Sequence, residues 1–259
     1  MTDLDRAIAL LRTHHDRLAE VIERLAPEEL KESSAADEWS IAQVLSHLGS
    51  GAEIWYGPYA AGLAGEPAPE VDKQAIWDRW NASSPEQQAA GFLEHDERFV
   101  RLLEDTSADR RATVTVDLGF FPDPVPLAQA VGMRLNETAL HTWDVLAGVD
   151  ASATVDAEAA DLLLDQYTGA ASYMLGFIGK PERLREPAVV DLDGYTLTVA
   201  DAISIAAGSP EQPTARLHGP HEAALRLVSG RLKPGFTADE VTVSGNVDLD
   251  DLRHVFPGY

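Results

Sequence analysis

The chain has 259 residues, room for one large domain or two of ordinary size, and its apolar and charged fractions (45% and 24%) are those of a folded globular protein. Its 43 acidic side chains against 20 basic ones give a formal net charge of −23, which repels phosphate backbones and anionic lipid and so argues against nucleic-acid and membrane partners. With no cysteine it has no disulfide and no thiolate of its own, and any metal must be held by His, Asp and Glu.

The first residues carry neither a basic region nor an apolar run of signal-peptide type, and no stretch has the length of a spanning helix, so a cytoplasmic protein is expected. Arginine strongly outnumbers lysine, a bias of high-GC bacterial genomes. Residues 2–25 repeat apolar side chains at three- and four-residue steps, which predicts an amphipathic helix stopped before Pro27. Residues 28–38 read as a polar loop. Ser40 followed by Gln43 is a capping box, and the helix it opens carries Ile41, Val44, Leu45, Leu48, Ala52 and Trp55 on one stripe, fading near Gly57-Pro58 or soon after. A Gly/Pro-rich loop over 62–72 precedes a helix at about 71–80. Ser84-Pro85 then opens a fourth helix, with Ser84 as N-cap.

Residues 112–118 alternate like a short strand. Pro126 opens another strong helix over 127–146, closed by Gly148. Four long helices within residues 1–150 predict an antiparallel bundle. The texture then changes. A helix is expected over 156–178, a hairpin of strands 188–192 and 195–199 around Asp193-Gly194, and a strand at 214–218. A helix at 220–231, a strand at 240–244 and a short helix at 247–255 complete the chain. The fold class is therefore α+β, with a bundle over 1–150 and a smaller α/β domain over 151–259.

The helix at 127–146 holds the chemistry. Leu127, Ala130, Val131 and Val145 share a face, and Arg134, Glu137 and His141 project from it where a core helix would carry Leu or Val. Burying such groups is costly unless they pair or bind something. Glu137 and His141, four apart, reach one point, as oxygen and nitrogen ligands of a zinc-type ion do, and His47 on the capped helix is the third candidate. Three protein ligands would leave one position open, the layout of a catalytic site. A buried Arg134–Glu137 ion pair with His141 as a satisfied core histidine fits the pattern equally well. Of His14 and His15 at least one should face solvent. His95 should be exposed, and His218, His221 and His254 should not be ligands. No Gly-x-Gly-x-x-Gly, Walker, nucleophile-elbow or His-Glu-x-x-His pattern occurs.

At these residues the sequence resembles a known family. Trp39-Ser40 with His47-Leu48 is similar to the Trp-Ser-x6-His-Leu motif of DinB-like helical bundles. Arg134, Glu137, His141, Trp143, Asp144 and Val145 resemble the Arg-x-x-Glu-x-x-x-His-x-Trp-Asp-Val motif of the mycothiol-dependent maleylpyruvate isomerases. Residues 227–231 and 241–245 match that family's C-terminal domain more loosely. The resemblance implies a divalent metal, zinc foremost, on His47, Glu137 and His141, and mycothiol as thiol cosubstrate. It also implies addition of the thiol to an electrophilic small molecule, as isomerase or S-transferase. It implies an arginine of the C-terminal domain, Arg231 with Arg226 as second choice, on a substrate carboxylate. Arg134 would orient Glu137 or contact an anionic substrate. The other readings are a non-catalytic sensor or interaction module and a metal-assisted hydrolase.

Overall fold

The computed structural model describes residues 1–258. The chain divides into two compact units, Met1–Asp150 and Ala151–Tyr259.

In the first unit, α1 (Asp3–Arg24) opens on a capping box in which Thr2 accepts from the Asp5 amide and Asp5 accepts from the Thr2 amide. The same reciprocal device, Ser40 with Gln43, opens α2 (Ile41–Ala64). This helix runs past Pro58 and ends only at Gly65, whose φ of 76° makes the left-handed cap. Burial of Ile54, Tyr59 and Ala61 carries it beyond the break expected at Gly57-Pro58. Asp72 caps α3 (Lys73–Asn81), and Ser84 with Pro85 opens α4 (Pro85–Glu104).

A short α5 (Ala108–Arg111), absent from the sequence reading, leads into the two-residue strands β1 (Thr115–Val116) and β2 (Val125–Pro126), which pair antiparallel. The final helix of the unit, α6 (Leu127–Val149), is not closed by Gly148. That glycine lies within the helix because a Cβ there would sit 2.8 Å from the Ser33 carbonyl oxygen. Helices α1, α2, α4 and α6 pack as the bundle: α2 against α4 and α6, and α1 against the same two. Leu18, Val44, Leu45, Leu48, Phe92 and Val145 form its apolar centre.

The second unit begins with α7 (Ala157–Tyr167). The single helix expected over 156–178 is broken after Tyr167, and the chain resumes as a 3-10 turn and α8 (Leu175–Ile178). Then come β3 (Ala188–Asp191), β4 (Tyr195–Val199), β5 (Ile203–Ala207), β6 (Ala215–His218), α9 (His221–Val228), β7 (Thr242–Gly245) and α10 (Leu249–Val255). The sheet order is β5-β4-β3-β6-β7, antiparallel except between β3 and β6. Asp193 and Gly194, with φ of 57° and 110°, make the hairpin turn that two consecutive left-handed residues allow. The helical bundle followed by an α/β unit is the expected fold class. The strand β5 is an addition to it, and α9 stops three residues short of Arg231.

Candidate metal centre

Val44, Leu45 and Leu48 are fully buried and fix α2 about its axis. His47 is thereby turned to the flank, with 40% of its side chain exposed. On α6, Glu137 and His141 are separated by one turn and face the same direction. The three residues offer ligand atoms that all lie within 4.8 Å of one another, and among the described residues this is the one such group of three or more. Glu137 Oε2 is central, 3.0 Å from His47 Nε2 and 3.8 Å from His141 Nε2. The imidazoles meet edge to face at 4.7 Å between centroids.

Glu137 is 46% exposed and His141 13%, so the group opens to solvent on one side. The expectation that Glu137 is buried on the core face of α6 is therefore corrected: it stands at the edge of that face. Two donors at 2.0–2.1 Å from one ion in tetrahedral array stand about 3.4 Å apart. The two nitrogen-to-oxygen separations bracket that value. Two imidazoles and a carboxylate are also the donor types that zinc-like ions accept, so the residues fit such an ion.

Two neighbours that stand in the sequence motifs, without a role assigned to them there, border the group. Asp144, fully buried one turn beyond His141, brings Oδ2 to 2.8 Å from His141 Nδ1, although the two are not aligned as a hydrogen bond. Its i,i+3 spacing from His141 was a usable signal. Trp39 stacks on His141 at 5.9 Å and leans on His47 at 5.2 Å between ring centroids. It is held there by the loop before α2. Ser34 N–H and Oγ–H both donate to the Trp39 carbonyl, Trp39 N–H donates to Ala36, and Ala35 N–H donates to the Asp144 carbonyl. Glu38, at φ 63°, takes the left-handed conformation that turns the chain into place. No periodicity announces such a contact.

Arg134 shares a helix with Glu137, but its guanidinium is bonded to other residues. It is 6% exposed, and its Nη2 donates to Asp96 Oδ1 at 2.7 Å and to the Leu48 carbonyl at 3.0 Å. Asp96 also faces His15, whose Nδ1 lies 3.0 Å from its Oδ2. Burial opposes ionisation of Asp96, but the hydrogen bonds and charges of His15 and Arg134 outweigh it and hold its carboxyl below the ordinary range. Neighbouring Glu97, paired chiefly with Arg12 and then with Arg101, is pushed down to about 2.

His14 and His15 are both buried, against the expectation that one faces solvent. His95 is not exposed either. It rests on Trp80 and lies 3.7 Å from Glu53. In the second unit Arg226 is consumed by two bonds to Glu222, at 2.7 and 2.8 Å, and its Nη1 donates to the Phe236 carbonyl. Arg231 is half-buried and donates to the Ser229 carbonyl at 3.3 Å.

Residues 11–146 match the mycothiol maleylpyruvate isomerase N-terminal domain. The chain is similar in fold to a crystal structure of the mycothiol-dependent maleylpyruvate isomerase, at 17% identity and a TM-score of 0.64 over 94% of both chains. A histidine-to-alanine mutant of that enzyme is matched to the same extent, at 17% identity and a TM-score of 0.65. No curated protein sequence matches the chain. No helix is long and apolar enough to cross a membrane.

Proposed function

Because this chain belongs to the mycothiol maleylpyruvate isomerase N-terminal domain family, we propose that it is a metal-dependent enzyme that uses an external thiol, mycothiol, on a small unsaturated acid. The convergence of His47, Glu137 and His141 on one point from two helices carries the reading. A divalent ion held there, zinc foremost, supplies the Lewis acidity that keeps a thiol ionised near neutral pH. A chain without cysteine fits a sulfur nucleophile supplied by the cosubstrate.

The chain's own residues do the rest. His47, Glu137 and His141 contribute three donors and leave one side open, and that side is the solvent-facing one. Trp39 closes the flank of both imidazoles and restricts approach to the remaining directions. His141 turns Nδ1 toward Asp144 and Nε2 toward Glu137, so Nε2 is the nitrogen on the side of the other two ligands.

In the isomerase reaction the thiolate adds to an activated double bond. A carbon–sulfur bond forms while the π electrons pass toward the conjugated carbonyl. Rotation about the former double bond and reversal of the addition give the trans isomer and return the thiol, with no net oxidation. In an S-transferase the same attack expels a leaving group instead. Arg231 is assigned to the substrate carboxylate, for which a guanidinium offers two parallel donors. Arg226, tied up by Glu222, is set aside for that task.

The test is metal analysis of the purified protein together with maleylpyruvate isomerisation, with and without mycothiol. About one zinc-type ion per chain and thiol-dependent turnover are expected. Protein that takes up no divalent metal would end the proposal.

A further inference from the structure

We propose that Asp96 and Arg134 are positioning residues for the metal centre: a buried clamp that sets the register of α2 against α6, so that His47 meets Glu137 and His141. This rests on the reading that those three residues hold a metal.

The argument begins with where Arg134 is anchored. It lies three residues before Glu137, about 4.5 Å along the axis of α6. Its Nη2 reaches across to α2 and donates to the carbonyl of Leu48, the residue directly after His47. The clamp and the His47–Glu137 contact are therefore adjacent cross-links between the same two helices. The chain also leaves room for it. A Cβ on Gly51, one turn beyond His47, would stand 3.1 Å from Arg134 Nη1. Asp96 on α4 takes the same Nη2 at 2.7 Å and faces His15 of α1 through its other oxygen. All four bundle helices thus meet at one polar point beside the candidate ligands.

Stability alone explains this arrangement poorly. A buried ion pair is often no better for stability than apolar side chains of similar volume, and its best-attested use is to fix register. Apolar contacts are non-directional, so helices packed by Leu and Val can slide by fractions of an ångström at small cost. Metal coordination tolerates only about ±0.2 Å. A guanidinium held at once by a carboxylate on α4 and a carbonyl on α2 has few positions that satisfy both, which is the constraint a coordination site between α2 and α6 requires.

The test compares full-length wild type with Arg134→Met, Asp96→Asn, the double variant and Arg134→Lys. A core control, Val100→Ala on α4, is included for its loss of melting temperature. Zinc affinity of the metal-free proteins is measured by competition with a chromophoric chelator, and site geometry by the visible absorption of bound Co2+. Arg134→Met and Asp96→Asn are expected to weaken zinc binding about 10- to 100-fold and to change the Co2+ spectrum. The double variant should be no worse than the poorer single one, and Arg134→Lys should fall between. Val100→Ala should lose melting temperature while keeping affinity within a few fold.

Wild-type affinity and an unchanged Co2+ spectrum in Arg134→Met and Asp96→Asn would overturn the proposal. So would an equal loss of affinity in Val100→Ala. If Arg134→Met does not fold, Arg134→Lys decides by the same two readouts. Wild type that binds neither zinc nor Co2+ would instead remove the metal reading itself.

Discussion

Among the places where a histidine stands against a carboxylate, one in each unit makes the sharpest contrast. In the second unit His221 has Asp161 Oδ1 at 2.6 Å from Nδ1 and the Asp193 carbonyl at 2.8 Å from Nε2. A backbone carbonyl can only accept, so Nε2 carries a proton, and its lone pair is not available to a metal. In the first unit both Nε2 atoms of His47 and His141 face one carboxylate oxygen, on a side open to solvent. Proximity of His to Asp or Glu therefore does not separate a structural pair from a candidate metal site. The number of acceptors already assigned to each ring nitrogen does.

The sharpest way to break that comparison is to remove a histidine from each cluster. His47→Ala or Glu137→Ala should abolish stoichiometric metal, since each ligand contributes about 3 kcal/mol of binding, on the order of a hundredfold or more in affinity. His221→Ala should leave metal uptake at the wild-type level. Elemental analysis after dialysis reads both. Equal metal content in His47→Ala and wild type would erase the distinction.

The two units also treat buried arginine differently. Arg134 takes its carboxylate partner from another helix, whereas Arg226 takes Glu222, four residues earlier in its own helix. Arg226→Met leaves the Glu222 carboxylate buried without its partner and should cost about 3–5 kcal/mol in a denaturant melt. Arg231→Ala, at a half-buried position where the guanidinium donates to the Ser229 carbonyl at 3.3 Å, should cost less than Arg226→Met in the same melt while raising KM for the acid substrate. A melt in which Arg231→Ala is as damaging as Arg226→Met would return Arg231 to a structural role.

The legible part of this molecule was the local part. Ser40 with Gln43 and Ser84 with Pro85 announce their helices because capping is settled within four residues. Glu137 and His141 announce a shared point because one turn separates them. Asp96 could not be named as the partner of Arg134, because the two are 38 positions apart and nothing in α4 marks one acidic residue among several as buried. The same limit produced the expectation of an Arg134–Glu137 pair: on a helical wheel they share a face, but the wheel does not show which neighbouring helix supplies the counter-charge. Strand β5 was missed because it alternates weakly, with Ile205 buried while Ser204, Ala206 and Ala207 are exposed. Gly148 read as a terminator because a sequence shows that a side chain is absent and not what would have collided with it.

Trp39 offers a smaller test. Its indole touches both imidazoles of the first cluster, whereas His221 meets only Tyr195, at 5.2 Å. Zinc binding should change the tryptophan emission of wild type. In Trp39→Phe most of that change should vanish, while affinity falls only a few fold, in keeping with about 0.5–1.5 kcal/mol for an aromatic contact. An undiminished emission change in Trp39→Phe would place the signal on another tryptophan and remove Trp39 from the wall of the site.

The smallest expected effect concerns the closed cluster and turns on its sign. Burial disfavours the charged form of His221, but the Asp193 carbonyl and the Asp161 carboxylate outweigh it, and the imidazole is held protonated above its ordinary value. A group whose pKa is raised on folding contributes its full stability below the unfolded value and loses it as pH rises through the folded one. Wild type should therefore lose stability between mildly acidic and mildly alkaline pH relative to His221→Gln, which can still donate to one acceptor but does not titrate. The difference should be on the order of 0.5 kcal/mol, as for a partly exposed ion pair, and is read as the change in melting temperature of the two proteins across that interval. Parallel curves would mean that His221 is neutral in the folded protein, with the proton between it and Asp161 resting on the carboxylate. The contrast with the open cluster would then lie in geometry alone and not in charge.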